Sequence, residues 1–304
     1  MSAALYIQEQ IDSGAVCQRW RDRRHSWRPT HEGGFDPARY RVRELPKEEV
    51  GSAKQFVLAH HYSGSWPPVR FAYGLFDTAA NTKGGVLVGV LTLGIPMHVG
   101  VLKGPFNRLE PYVESLELNR LVLLDEVFAN AETWFQARAF RLAAARNVLG
   151  IVAHSDPEPR QRITPTGPEL VHPGHYGTIY QAKGMEYLGR TSPRRLHVLP
   201  DASILTDRAI AKVCAAGRAA GRGHGGVEQR LVAFGARPRS PGEPGRPWLD
   251  EALHAIGATV MHHGGNHRYR AWIGPRGRRD RRGTLTAFPY PKKHEQVEPR
   301  LPPL

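Results

Sequence analysis

The sequence predicts a layered α/β (α+β) domain, with a mixed central sheet, flanking helices and a basic C-terminal extension. Three observations predict it. Helical and strand-like apolar patterns follow one another between residues 46 and 200 in the order helix, hairpin, strand, helix, strand. A chain of 304 residues with 40% hydrophobic content can bury one or two sizeable cores. Charge is segregated: residues 44–200 carry 16 Lys/Arg against 14 Asp/Glu, residues 1–43 carry 8 against 5, and residues 201–304 carry 18 against 9. A balanced middle with basic ends predicts a packed catalytic core whose extensions contact a polyanion, with nucleic acid the leading partner.

The elements follow in order. Residues 1–43 read as a basic, irregular N-terminal arm in which Arg alternates with Trp and Tyr. Pro46 and the acidic residues after it start a helix whose apolar positions Val50, Ala53, Phe56 and Val57 recur at helical spacing, ending near His60. "VRFAYGLFD" and "GVLVGVLTLGIP" form an antiparallel hairpin, and "LELNRLVLLD" a further strand. In "NAETWFQARAFRLAAARNVLG", Asn130 caps a helix with Phe135, Ala139, Leu142 and Ala143 on its buried stripe, ending at Gly150. "GIVAHSD" is the next strand; a Pro-rich loop, a short helix in "HYGTIYQAKGMEYLGRT" and the strand "RRLHVLP" follow. The sequence thus divides into an arm (1–43), a catalytic domain (44–200), a basic helical and loop extension that contacts DNA (201–290) and a disordered tail (291–304).

Several chemistries are excluded. No GxxxxGK[ST] occurs, so nucleotide hydrolysis has no support. Asp156-Pro157-Glu158-Pro159 has the start of an amino-methyltransferase loop but no aromatic to stack on a base, and no GxGxxG turn holds a nucleoside cofactor. Cys17 and Cys214 imply neither a disulfide framework nor a cysteine zinc site. No run of eighteen apolar residues or signal-peptide pattern is present, so no membrane partner and a cytoplasmic location are expected.

Seven stretches, "HHYSGSWPP", "LVGVLTLGIP", "LELNRLVLLD", "NAETWF", "IVAHSDP", "GTIYQAKGMEYLGRT" and "GGNHRYR", occur in the order found in the Mom family of phage DNA-modification proteins. The chain resembles that family over residues 50–200 and again near 265–269. The resemblance implies a GNAT-like N-acyltransferase fold, whose sheet is mixed, opens with an antiparallel hairpin and places its site between splayed central strands. It also implies conversion of the exocyclic amine of adenine in DNA to a carbamoylmethyl-type derivative, which shields phage DNA from restriction. One departure concerns the donor. Where an acyl-coenzyme A enzyme has a Gly-rich basic loop, this chain has the acidic, Gly-free "LLDEVFANAETWF", so an acyl-CoA-type donor and iron-assisted chemistry both stay open.

Candidate roles follow. Asp156, at a strand end, either holds or deprotonates the amine or caps an Asx-turn before Pro157. Arg120, inside an apolar strand, binds the donor or a DNA phosphate, or pairs with Asp156 or Glu117. Tyr180 matches the family's tyrosine at the start of its last helix; it protonates a leaving group, stacks on a flipped base or fills the core. Asn130 and Thr133 at a helix start, with Tyr62, make a donor- or base-binding set, against a purely structural cap. His61 and His60 are metal candidates, against a helix terminus where imidazoles meet exposed carbonyls. Arg268, Arg270, Arg276, Arg278, Arg279, Arg281 and Arg282 are candidates to grip double-stranded DNA, the partner the resemblance implies, while a base is flipped. A conventional acyl-CoA-dependent acyltransferase and a non-catalytic DNA-binding protein are the alternative readings.

Overall fold

The computed structural model describes residues 16–31, 34–79, 83–165, 167–172, 174–215, 225–279 and 285–291. It divides into two compact units, the first of residues 1–157, 175–190 and 266–304 and the second of residues 158–174 and 191–265.

The first unit begins with a hairpin, β1 (Val16–Arg21) and β2 (Arg24–Pro29), where an irregular arm was expected. The reason lies in Arg19, whose guanidinium is wholly buried. It pairs with Glu132 and donates to the carbonyls of Val127 and Phe128 at 3.1 and 2.6 Å, which fixes the strand's register. β3 (Tyr40–Glu44) then starts the central sheet at its edge. Helix α1 (Val50–His60) runs as predicted and buries Ala53 and Val57.

β4 (Val69–Asp77) and β5 (Val86–Gly94) form the antiparallel hairpin, and β6 (Ser115–Leu123) pairs antiparallel with β5. A single helical turn, α2 (Gly100–Lys103), lies between them in sequence. Helix α3 (Ala131–Ala145) covers one sheet face through Phe135, Ala139 and Ala143, all fully buried. Burying the Phe135 side chain alone contributes about 1.5–3 kcal/mol. The helix stops at Ala145, not at Gly150: Asn147 takes a left-handed φ of 63°, and Gly150 already belongs to β7 (Gly150–Ser155). The left-handed φ of 67° at Asn130, with no side-chain hydrogen bond, replaces the expected side-chain cap.

β6 and β7 are parallel, and β14 (His267–Trp272) lies antiparallel to β7. With β10 (Glu186–Arg190) the order across the sheet is β10-β14-β7-β6-β5-β4-β3. The Gly-Asn-His-Arg-Tyr segment is therefore interior sheet, not a basic grip in an extension. Its alternation places Tyr269 in the core, and "EYLGR", which carried no strand expectation, forms the edge beside it. The mixed sheet with its antiparallel opening is the fold class the sequence predicts.

The second unit opens with the hairpin β8 (Arg160–Thr164) and β9 (Gly167–His172) in place of the expected loop. Its small sheet has the order β12-β11-β13, from β11 (Arg194–Val198), β12 (Ile204–Leu205) and β13 (Thr259–His263). Helices α5 (Asp207–Ala215), α6 (Gly225–Ala233) and α7 (Gly245–Ala255) pack around Trp248, which is fully buried. The final helix, α8 (Gly274–Arg279), returns to the first unit. Among the described residues no helix is long and apolar enough to cross a membrane.

Candidate functional site in the splay between two parallel strands

The parallel ladder between β6 and β7 holds four residue pairs, from Ser115 with Gly150 to Leu118 with Ala153, and goes no further. Beyond it Asn119 and Arg120 on one side, and His154 and Ser155 on the other, lie on strands that no longer pair with each other. A splay between central strands leaves backbone and side chains turned toward a gap, and this is the opening expected of a GNAT-like sheet.

A bulge aims Arg120 into this region. Leu93 faces Leu118 and Thr92 faces Arg120, so Asn119 is the extra residue. Residues three apart on a regular strand point to opposite faces, whereas the bulge puts Glu117 and Arg120 on the same one. Arg120 donates to the Ser65 hydroxyl at 2.8 Å, the Ser65 carbonyl at 3.3 Å and the Asn119 carbonyl at 2.7 Å. Among the described residues it forms no ion pair, so the expected pairing with Asp156 or Glu117 is not made. Burial lowers its pKa, and the nearby Tyr62, Glu117 and Tyr180 oppose that shift.

Glu117 is engaged elsewhere. It accepts from His154 Nδ1 at 2.9 Å and from the Asn119 amide at 3.2 Å. His154 then carries its Nδ1 proton toward the carboxylate, which leaves Nε2 as the acceptor nitrogen. A carboxylate that orients an imidazole with its other nitrogen open is the arrangement of a general base. This pair was not assigned from sequence, although "AHSD" and "LELN" both contain it; only the β6–β7 register brings positions 37 residues apart together.

Tyr180, on helix α4 (Thr178–Ala182), is buried with its hydroxyl 3.5 Å from the His154 carbonyl. Burial pushes its pKa up, so it is held as a phenol, a proton donor. Gly177 makes that approach possible. It has a φ of +72°, and a Cβ there would sit 2.5 Å from the Tyr269 ring and 2.9 Å from Tyr180. Tyr62 stacks on His61, ring centroids 4.3 Å apart, beside Trp20. Asp156 lies just past the end of β7, half-buried, and its carbonyl accepts from His175 N–H at 2.8 Å.

The other candidates lie apart from this cluster. Thr133 bonds back to the Asn130 carbonyl at 3.2 Å, and the first turn of α3 holds Glu132 against Arg19. The turn carries a carboxylate and no glycine, so the residues do not fit the usual Gly-rich, basic coenzyme A cradle. His60 Nδ1 accepts from Asp22 N–H at 3.2 Å, and His61 Nδ1 accepts from Ser63 N–H at 3.2 Å. The two rings serve different turns, and among the described residues no three His, Cys, Asp or Glu side chains are grouped as an iron ion needs.

The arginines proposed for DNA also separate. Arg270 is buried, bonded to Glu186 at 2.7 Å and to the Pro105 and Leu285 carbonyls at 3.0 Å, so the structure removes it from any DNA surface. Arg268, half-buried, donates to the Leu188 carbonyl at 3.2 Å. Arg276, Arg278 and Arg279 are exposed on α8, with Arg276 held by Glu114 at 3.1 Å. Arg281 and Arg282 lie outside the described residues, as do most of the Gly-rich stretch 218–226 and nearly all of the tail.

The model of the Mom protein family matches residues 39–234. The chain belongs to the Mom protein family. The match takes in β3 to β12, hence both sides of the splay, and stops short of the 265–269 segment. Among solved structures, a tandem GNAT protein from the clavulanic acid biosynthesis pathway matches at 12% identity. The match covers 78% of this chain and 99% of that one, with a TM-score of 0.38. A probable acetyltransferase from Staphylococcus epidermidis ATCC 12228 matches at 11% identity over 52% of this chain and 88% of that one, TM-score 0.28. No curated protein matches.

Proposed function

We propose that the chain modifies the exocyclic amine of adenine in DNA, adding a carbamoylmethyl-type group. Membership of the Mom family supports the substrate class. The observation that carries the chemistry is the splay, beside which stand the Glu117–His154 pair, Arg120 with neutral hydrogen-bond partners, and the phenol of Tyr180. The amine is a weak nucleophile because its lone pair is delocalised into the ring. As a new N–C bond forms, the nitrogen must lose a proton, and the bond to the donor's leaving group must break.

His154 Nε2 takes the proton, with Glu117 holding the ring and stabilising the imidazolium. Arg120 stabilises negative charge that develops on the donor, since its guanidinium hydrogen-bonds only to neutral groups. Tyr180 protonates the leaving group, and Asp156 at the rim accepts from the amine and orients the base. Adenine's amine is enclosed in a duplex, so the base is flipped toward the rim before reaction. Nucleoside mass spectrometry of DNA from cells expressing the chain tests the reading. A new adenine derivative is expected, absent when Arg120→Ala or Asp156→Ala replaces the native chain; an unmodified profile from the native chain would refute it.

A further inference from the structure

Within the second unit, arginines and carboxylates are paired systematically. Arg162 meets Glu169 at 2.6 Å, Arg239 meets Glu228 at 2.9 Å, and Arg246 meets Asp250 at 3.0 Å. Arg237 is clasped by both Glu243 and Glu251, at 2.6 and 2.7 Å, and Arg230 reaches Asp201 at 3.4 Å. The basic character that the sequence assigns to this region is in large part neutralised internally.

Arg194 and Arg195 break that pattern. Both are exposed on β11, and among the described residues neither has a carboxylate partner. Their strand pairs with β13, which sets Arg194 opposite His263 and Arg195 opposite His262. Pro193, the two arginines, His262, His263 and Gly264 line a concavity of about 420 Å³. His262 is exposed, while His263 is buried with Nδ1 accepting from Gly265 N–H at 3.0 Å, so the turn carrying the far wall is fixed. Two guanidiniums without counter-charges, next to an imidazole on a rigid two-stranded wall, are suited to phosphate oxygens.

Both arginines line one open concavity without a counter-charge, an arrangement that suits successive phosphates of a chain better than a single small anion held from all sides. We propose that the β11–β13 wall is a phosphodiester-binding site for the backbone of duplex DNA, a contact separate from the arginines of α8. It rests on the DNA reading above for the choice of polyanion, not for the presence of the site. Phosphate contacts position a protein on the duplex without reading sequence, so the site contributes grip rather than target choice.

The full-length chain and its R194Q/R195Q variant should be titrated with a fluorescent 20-bp duplex and, separately, a single-stranded RNA of the same length, across a salt series. Both changes are at exposed positions, and circular dichroism checks the fold. The expected result is duplex binding about tenfold weaker in the variant, with the log–log salt slope smaller by roughly 2, close to two phosphate contacts. Arg208→Gln, an exposed charge of the same unit outside the concavity, should change the slope by well under half of the double variant's change. Loss of binding confined to RNA would keep the site and sink the DNA reading. Equal affinity and slope for native chain and double variant would sink the site and leave the DNA reading standing, and so would an Arg208→Gln effect as large as theirs. A native chain that binds neither polymer overturns both.

Discussion

Arg270 and Arg120 both sit in strands of one sheet, and they are held in opposite ways. Arg270 is enclosed by Glu186 and two carbonyls, so its charge is neutralised where it stands. Arg120 is held only by a serine and a backbone carbonyl, with its charge left for something else. The difference separates an arginine that belongs to the fold from one that is available to a substrate. Arg120 stands in an apolar run and Arg270 in a charged one, yet neither setting tells which arginine the fold neutralises.

Arg270→Ala should give the largest effect, because it leaves Glu186 without its partner in a half-buried site. A loss of about 3–5 kcal/mol in urea unfolding is expected, with Arg270→Met costing less. Arg120→Ala should behave in reverse: Tm within about 2 °C of native, and adenine modification down about 100-fold or more in single-turnover assays. If both arginines changed Tm equally, the distinction between them would fail.

Glu117→Gln sharpens the comparison on the same face. It keeps the shape but removes the charge behind His154, and the modification rate should fall about tenfold at neutral pH with donor KM unchanged. A fall in KM-dependent binding alone would assign Glu117 to the donor instead. The smallest effect concerns His267, buried beside Arg270's strand neighbours, with Tyr187 Oη 2.8 Å from its Nδ1. Burial and the nearby Arg190 and His175 lower its pKa from 6.5 to about 4. The unfolded chain therefore binds a proton that the folded one refuses between those values. Stability from keeping this ring neutral is complete above pH 6.5 and is lost as pH falls toward 4. Tm should drop by a few degrees between pH 7 and pH 5, and His267→Asn should flatten that drop.

β4 to β7 are legible in the sequence because each is a contiguous apolar run with a clear boundary; β3 and β10, "YRVRE" and "EYLGR", are charged and are not. β14 is not, since Arg268 and Arg270 alternate with Tyr269 and give a charged stretch whose arginines find partners only in the fold. Arg120, Tyr180 and Tyr62 are identifiable as candidates, and the fold sets both tyrosines and Glu117 near enough to Arg120 to act on its charge. The Glu117–His154 pair is not, because it depends on a parallel register between distant strands that no local pattern encodes. Asn130 read as a cap because its residue type suits one; its left-handed backbone instead turns the chain, and Glu132 faces Arg19.

The Arg19–Glu132 link has a practical consequence. Residues 39–234 span the region shared with the family, yet a polypeptide trimmed to those limits would lack β1 and leave Glu132 buried without its counter-ion. It would also lack β14, so that β7 and β10 would each expose a raw strand edge, the kind of surface on which chains stick to one another. The smallest autonomous folding piece is thus longer at both ends than the shared segment, and a fragment cut to the homologous limits should aggregate rather than act.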